Sequence, residues 1–255
     1  MRTLRSVVGI GLGGLLLAAA THAEVTVSTG FDFSRGDYGL PVPTQIITVP
    51  LAVSYAVNRT TWELGLSCVR VEGPGDVVPG IGRRTRRLAL ASTTHEGIGD
   101  LTLGFTHQLV APAERGWSWA AGAEVKFGTA SAERSLGTGK DDFTVQAQCS
   151  YTAGALTPYF TVGYRWLGNP AGSDLRAHIF GTAGLTWACS DKVTLGALVD
   201  LSAKNSASGS SSANFMLSAS RSLGDRWQAQ LYAVRGTSDN SPDYGGGLSL
   251  SRGFH

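Results

Sequence analysis

The sequence predicts an all-β fold, a transmembrane antiparallel up-and-down β-barrel of about 12 strands, and three observations lead there. Apolar and polar residues alternate with a period of two along most of the chain. Short connections between the alternating segments take turns with long ones. Aromatic residues gather at the segment ends, on the apolar face.

The alternation is clearest between Trp117 and Tyr151. Trp117, Trp119, Ala121, Ala123, Val125 and Phe127 fall on one face, with Ser118, Ala120, Gly122, Glu124 and Lys126 on the other. After a polar loop the pattern resumes: Phe143, Val145, Ala147, Cys149 and Tyr151 against Thr144, Gln146, Gln148 and Ser150. This is strand periodicity and not the 3.6 of a helix. The period alone leaves two classes open. A soluble sandwich buries the apolar face and wets the polar one, whereas a membrane barrel puts the apolar face in lipid and the polar face in its lumen.

In chain order, 24–33 carries Phe33 at its far end, 44–57 has Tyr55 and 60–72 has Trp62. Segment 97–110 precedes the hairpin of 117–129 and 141–153. Segment 158–168 is bracketed by Phe160 and Trp166, and 174–189 carries Trp187. Then come 193–204, 213–223, 226–236 with Trp227, and 243–255 with Tyr244 and Phe254. Each is near the about 9–11 residues a tilted strand needs to cross a bilayer. The connections at Asn58-Arg59, 111–116, 154–157, 190–192 and Gly224-Asp225 are tight, and the others are mostly longer and richer in glycine, serine or charge, 73–96 longest of all. Short turns at one end and long loops at the other are the asymmetry of a bacterial outer-membrane barrel, and both termini then lie at the short-turn end. The aromatic residues form two girdles on that assignment. Leu248, Leu250 and Phe254 give the last strand the aromatic ending that outer-membrane proteins commonly carry, although His255 follows.

Residues 1–23 read as a secretory signal: Arg2 and Arg5, an apolar core from Val7 to Ala20, and a small-residue cleavage site at Thr21-His22-Ala23. The barrel domain is then 24–255. The core is short for a membrane anchor, which needs about 20 apolar residues. A formal charge of +2 gives no reason to expect a nucleic-acid partner. Charged residues make up 16%, against about 25% in soluble domains, and glycines number 34, a balance that suits a tightly packed barrel wall and also a secreted β protein. Cys68, Cys149 and Cys189 are odd in number, arguing against a disulfide framework, and read as small side chains on apolar strand faces. Neither a metal site nor a cofactor is indicated.

The polar face places Asp32, Glu63, Asp100, Glu124, Lys126, Arg165, Arg176, His178, Asp200, Lys204 and Arg226 in the lumen. They either fill a narrow barrel with mutual ion pairs and hydrogen bonds, as buried polar groups require, or line a path for a small solute. Both signs are present, so strong ion selectivity is not implied. Arg83, Arg84, Arg86 and Arg87 cluster in the longest loop, either as a solvated run or as contacts for lipopolysaccharide phosphates. No histidine, serine and amide fall together as a lipid hydrolase would need: His107 lies on an apolar face, while His178 is luminal. Catalysis is therefore not expected.

Four stretches carry a family resemblance: Gly97-Ile98-Gly99-Asp100-Leu101-Thr102-Leu103; Val125-Lys126-Phe127-Gly128-Thr129; Leu136-Gly137-Thr138-Gly139-Lys140-Asp141-Asp142; and Gly163-Tyr164-Arg165-Trp166-Leu167-Gly168. In this order the chain resembles the outer-membrane barrels of the MetA-pathway of phenol degradation, or transporter-like, family. The family commonly has proline and an aliphatic residue after the lysine, where this chain has Phe127-Gly128. The resemblance implies an outer-membrane channel admitting hydrophobic or aromatic compounds, with no catalytic residues to carry over. The residues themselves suggest loop-shaping glycines, with Asp100 and Asp141 capping or bridging loop backbone. The combined expectation is a monomeric outer-membrane barrel, in contact with lipid and lipopolysaccharide, that passes small solutes. The alternative is a structural or surface-display barrel with a side-chain-filled lumen.

Overall fold

A computed structural model describes residues 23–75, 77–83, 92–206 and 209–254. Most of the expected signal, 1–22, lies outside the described residues. The elements are β1 (Glu24–Gly36), β2 (Thr44–Val57), β3 (Thr60–Gly73), β4 (Val77–Val78), β5 (Gly82–Arg83), β6 (Thr93–Ile98), β7 (Leu101–Val110) and β8 (Arg115–Phe127). They continue as β9 (Asp142–Ala153), β10 (Leu156–Trp166), β11 (His178–Ala188), β12 (Val193–Ser202), β13 (Ser212–Ser222), β14 (Trp227–Gly236) and β15 (Tyr244–Phe254). Among the described residues no helix is long and apolar enough to cross a membrane.

Each long strand pairs antiparallel with its sequence neighbour, and β1 pairs with β15 to close the ring. β3 pairs with β6 along its upper half and with β7 along its lower half, so those two form one stave and the barrel has 12. Segment 97–110 therefore differs from the single strand read from its sequence. At the break, Gly99 N–H donates to Ser67 O at 2.8 Å, while Asp100 leaves the ladder to accept Ala130 N–H at 2.8 Å. The strand expected from 174 begins only at His178, because Leu175 is drawn inward, buried against Val78 and Ile81.

The short connections are 58–59, 111–114, 154–155, 189–192 and 223–226, all at the end that holds both termini of the barrel. The two-residue turn at Asn58 takes φ 55°, a left-handed angle asparagine tolerates. The long connections, at the other end, include 37–43, 128–141 and 167–177.

Exposure decides which face is lipid-facing. Leu231 is 60% exposed, Trp117 57% and Leu217 52%, whereas Thr182 and Ser28 are each 3%. Leaving such side chains in water forfeits about 1.5–3 kcal/mol each, and a soluble sandwich would have buried them. The apolar face looks out and the polar face in.

Cysteines 68 and 149 lie on the outer face as expected, but Cys189 sits in the turn just after β11.

Inside, three aromatic rings lie across glycines of the neighbouring strand. Gly163 pairs with Phe180 and Gly184 with Tyr159; Gly247 pairs with Tyr232. A Cβ on any of these glycines would strike the facing ring. The glycines let bulky side chains fold flat against the wall instead of blocking the lumen.

Candidate functional site

The register carries one inward row across seven strands. Leu198 pairs with Met216, Met216 with Val234, and Val234 with Gly245. Gly245 pairs with Ser34, Ser34 with Ile46, and Ile46 with Val71. Most of this row is apolar, in an interior that strand alternation reserves for polar groups. It forms an apolar girdle in the long-loop half of the lumen.

A hairpin closes the space above it. β4 and β5 belong to the longest connection, yet Val77 is 0% and Val78 1% exposed. Val77 packs with Tyr38, Leu40, Ile46, Val69, Val71 and Leu136 on one side of the lumen. Val78 and Ile81 pack with Leu175 and Leu167 on another. Asn205 Nδ2 donates to Ile81 O at 2.7 Å, tying the hairpin to the β12–β13 loop. The turn at Gly80 and Gly82 takes φ 73° and 83°, which favours glycine. The longest loop is thus in part a strap folded into the mouth and not simply a solvated excursion.

Between strap and girdle lies a cavity of about 280 Å³. Phe180, Leu198, Met216 and Val234 contribute its apolar wall, with Arg165, His178 and Asp200 among its polar groups. Arg165 Nε donates to Thr144 Oγ1 at 3.2 Å and its guanidinium lies 5.4 Å from the Phe180 ring centroid. Asp200 accepts the Thr182 hydroxyl at 2.8 Å. His178 Nδ1 sits 3.2 Å from the Arg176 carbonyl, which places the proton on that nitrogen. Tyr38, in the loop above, is held at the rim, where burial pushes its phenol up to about 12. The space suits a compact, mainly apolar molecule met by a few oriented polar groups. An apolar constriction also resists the entry of bare ions.

The other lumen candidates divide into groups. Lys126 Nζ lies 2.8 Å from Asp100 and 3.2 Å from Asp142, and also donates to Lys140 O at 3.0 Å. Asp142 accepts Gly168 N–H at 2.9 Å and Asp141 accepts Gly128 N–H at 2.8 Å. The four family-like stretches therefore meet in one latch that joins the β6–β7 break, the β8–β9 loop and the end of β10. Lower in the lumen, Glu63 and Glu124 flank Gly104 on adjacent strands. Asp32 accepts the Tyr232 hydroxyl.

Arg176, Lys204 and Arg226 correct the sequence reading. They lie outside the strands, exposed, in the β10–β11 loop, the β12–β13 loop and the β13–β14 turn. Arg176 and Lys204 stand two residues beyond the last ladder pair of their strands and Arg226 one. Of the loop arginines, Arg83 is the last residue of β5, while Arg84, Arg86 and Arg87 fall outside the described residues.

The apolar girdle was missed by reading alternation alone. Its signal is a break in that alternation: Ile46-Ile47, Ile179-Phe180, Leu198-Val199, Phe215-Met216-Leu217 and Ala233-Val234. Each break puts an apolar residue on both faces, and all fall in the long-loop halves of their strands.

The model of the family described as "Putative MetA-pathway of phenol degradation" matches residues 69–252. Among solved structures, an outer membrane channel from Pseudomonas putida F1 aligns with a TM-score of 0.72 at 16% identity, covering 97% of this chain and 100% of that one. The translocator domain of the autotransporter NalP from Neisseria meningitidis aligns with a TM-score of 0.54 at 15% identity, over 92% and 90%. The KdgM porin gives 0.53 at 9% identity, over 89% and 99%. At these identities the likeness is one of fold. No curated protein matches the chain.

Proposed function

The chain belongs to the MetA-pathway family of phenol degradation, and on that footing we propose that it is an outer-membrane channel for passive passage of small hydrophobic or aromatic solutes. The observation that carries this is the apolar girdle beneath a cavity of about 280 Å³, inside a barrel whose lumen is otherwise polar. Ile46 and Val71 of the row pack against the strap, but Leu198, Met216 and Val234 border the open cavity, where a solute with an aromatic body is stabilised by desolvation. The solute enters past the strap, rests against Phe180, Leu198 and Met216, and leaves toward the short-turn end. The barrel works as a monomer, exported by a cleaved leader at 1–23.

Purified barrel reconstituted into liposomes tests this. Phenol influx faster than in empty liposomes, accelerated when the strap 77–82 is deleted, is the expected result. A barrel that gives neither solute influx nor measurable conductance, with or without the strap, would leave the structural alternative standing. Mass measurement of the mature chain checks the leader.

A further inference from the structure

On the lipid-facing wall at the long-loop end, three adjacent strands present Arg35, Tyr244 and Arg235 side by side. Arg35 pairs with Tyr244 in the β1–β15 ladder. Val234 pairs with Gly245 in the β14–β15 ladder, which sets Arg235 against the other flank of Tyr244. Their outward direction follows from their neighbours. Ser34 and Val234, each one residue before an arginine, line the inner cavity, and successive strand residues point to opposite faces. Tyr244 is exposed, with its ring 6.2 Å from that of Phe33.

Among the described residues neither arginine has an ion pair or a side-chain hydrogen bond. Arg70, on the same outer face, differs: it pairs with Glu96 at 3.7 Å. In sequence, Asp37 follows Arg35 by two residues, Asp239 follows Arg235 by four, and Asp243 precedes Tyr244. Asp243 lies near enough to Tyr38 to raise its pKa, and Asp37 accepts the Gly39 N–H at 3.0 Å. Two cations at the long-loop rim therefore make no ion pair among the described residues, the exposed Glu72 standing two strands from Arg35 in the same outward row, and a lipid phosphate would supply the missing partner.

Strand spacing puts the two arginine backbones about 10 Å apart, within reach of one large headgroup. Guanidinium forks match phosphate oxygens, and long arginine stems reach up from hydrocarbon to headgroup level. Tyr244 adds an amphipathic ring at that depth. In a bacterial barrel the long loops face outward, and the lipid of that leaflet is lipopolysaccharide.

We propose that Arg35 and Arg235, astride Tyr244, hold a phosphate of the lipopolysaccharide lipid anchor against the outer wall of the barrel. The site is apart from the lumen, so it stands or falls separately from solute passage.

The full-length folded barrel is exchanged into detergent with bis-phosphorylated lipid A, dephosphorylated lipid A or phosphatidylglycerol, and retained lipid is read by native mass spectrometry. Wild type should retain bis-phosphorylated lipid A at least about tenfold better than either other lipid. The Arg35→Gln/Arg235→Gln variant should lose that preference, and Arg70→Gln should keep it. Equal retention of dephosphorylated lipid A, equal retention of phosphatidylglycerol, or an unchanged preference in the double variant would each overturn the assignment. Heat-modified gel mobility reports whether the variants are folded. If the double variant does not fold, Arg235→Lys, which keeps charge and loses the fork, should show a smaller loss of the same preference, and no loss would overturn the proposal.

Discussion

The Tyr232 hydroxyl donates to the Asp32 carboxylate at 2.5 Å, reaching across Gly247 on the strand between them. The bond spans three strands at the seam where the barrel closes, and it exists because the middle residue has no side chain. A Cβ at Gly247 would meet Tyr232 Cε1 at 2.7 Å and run into the Asp32 carboxylate. Gly247→Ala should therefore destabilise the barrel by about 1–3 kcal/mol through overpacking. Tyr232→Phe should cost about 1–3 kcal/mol by leaving Asp32 without its donor. Urea unfolding in bilayers, followed by tryptophan fluorescence, measures both. A neutral Gly247→Ala would mean that the ring does not lie over the glycine.

Lys126 anchors a second long-range tie, with side chains 18%, 12% and 6% exposed for Lys126, Asp100 and Asp142. Removing the cation strands two carboxylates. Lys126→Met should cost about 3–5 kcal/mol, the range for breaking a buried pair from one side. Asp100→Asn, which keeps the bond to Ala130 N–H within reach of its side-chain oxygen, should cost less. The comparison is made by the same unfolding assay, and equal costs would argue against a charge-centred latch.

Tyr38 supplies a pH signature. Its phenol is raised from 10.0 to about 12 by burial, with the Asp243 charge adding to the effect and a Ser34 hydrogen bond opposing it. A folded state that holds the proton more tightly than the unfolded chain is favoured while the group is neutral. That stability is present below pH 10 and is lost as pH rises to about 12, a loss of roughly 2–3 kcal/mol for such a shift. Tyr38→Phe should flatten this stretch of the stability–pH curve. Fluorescence-monitored unfolding at stepped alkaline pH checks it, and an unchanged slope in the variant would sink the assignment to Tyr38.

The barrel was legible in the sequence because its two governing patterns are local. Alternation marks each strand, and loop parity marks each end, so Trp117 to Tyr151 already shows a transmembrane hairpin. What the pattern hid is what depends on contacts between distant segments. Val77 and Val78 sit in a glycine-rich loop, and nothing adjacent to them says that they pack under Tyr38 and Leu175. The Asp100–Lys126–Asp142 tie joins three separate stretches that read singly as loop devices. Arg176 and Arg226 were placed in the lumen because alternation, extended by a residue or two, gives no sign of where the ladder stops.

The sharpest test of which face meets lipid lies in the middle of β8. Ala123 pairs with Phe105 on one side and Val145 on the other, and Phe105 is 40% exposed. Glu124, one residue on, is turned inward, across Gly104 from Glu63. Arginine on the lipid face at the midplane costs about 2–4 kcal/mol. Arginine at position 124 meets water and the Glu63 carboxylate, so Glu124→Arg should cost less than Ala123→Arg, or even stabilise. That ordering would also hold if Ala123 were core, so enlargement is the deciding substitution. Leucine at 123 in a packed core would cost roughly 1–3 kcal/mol. Facing lipid it crowds no opposing layer and adds apolar surface, so Ala123→Leu should be neutral or favourable for folding into bilayers. Unfolding free energies of the three variants in one bilayer composition give the answer, and a destabilising Ala123→Leu would put that face inside a protein core.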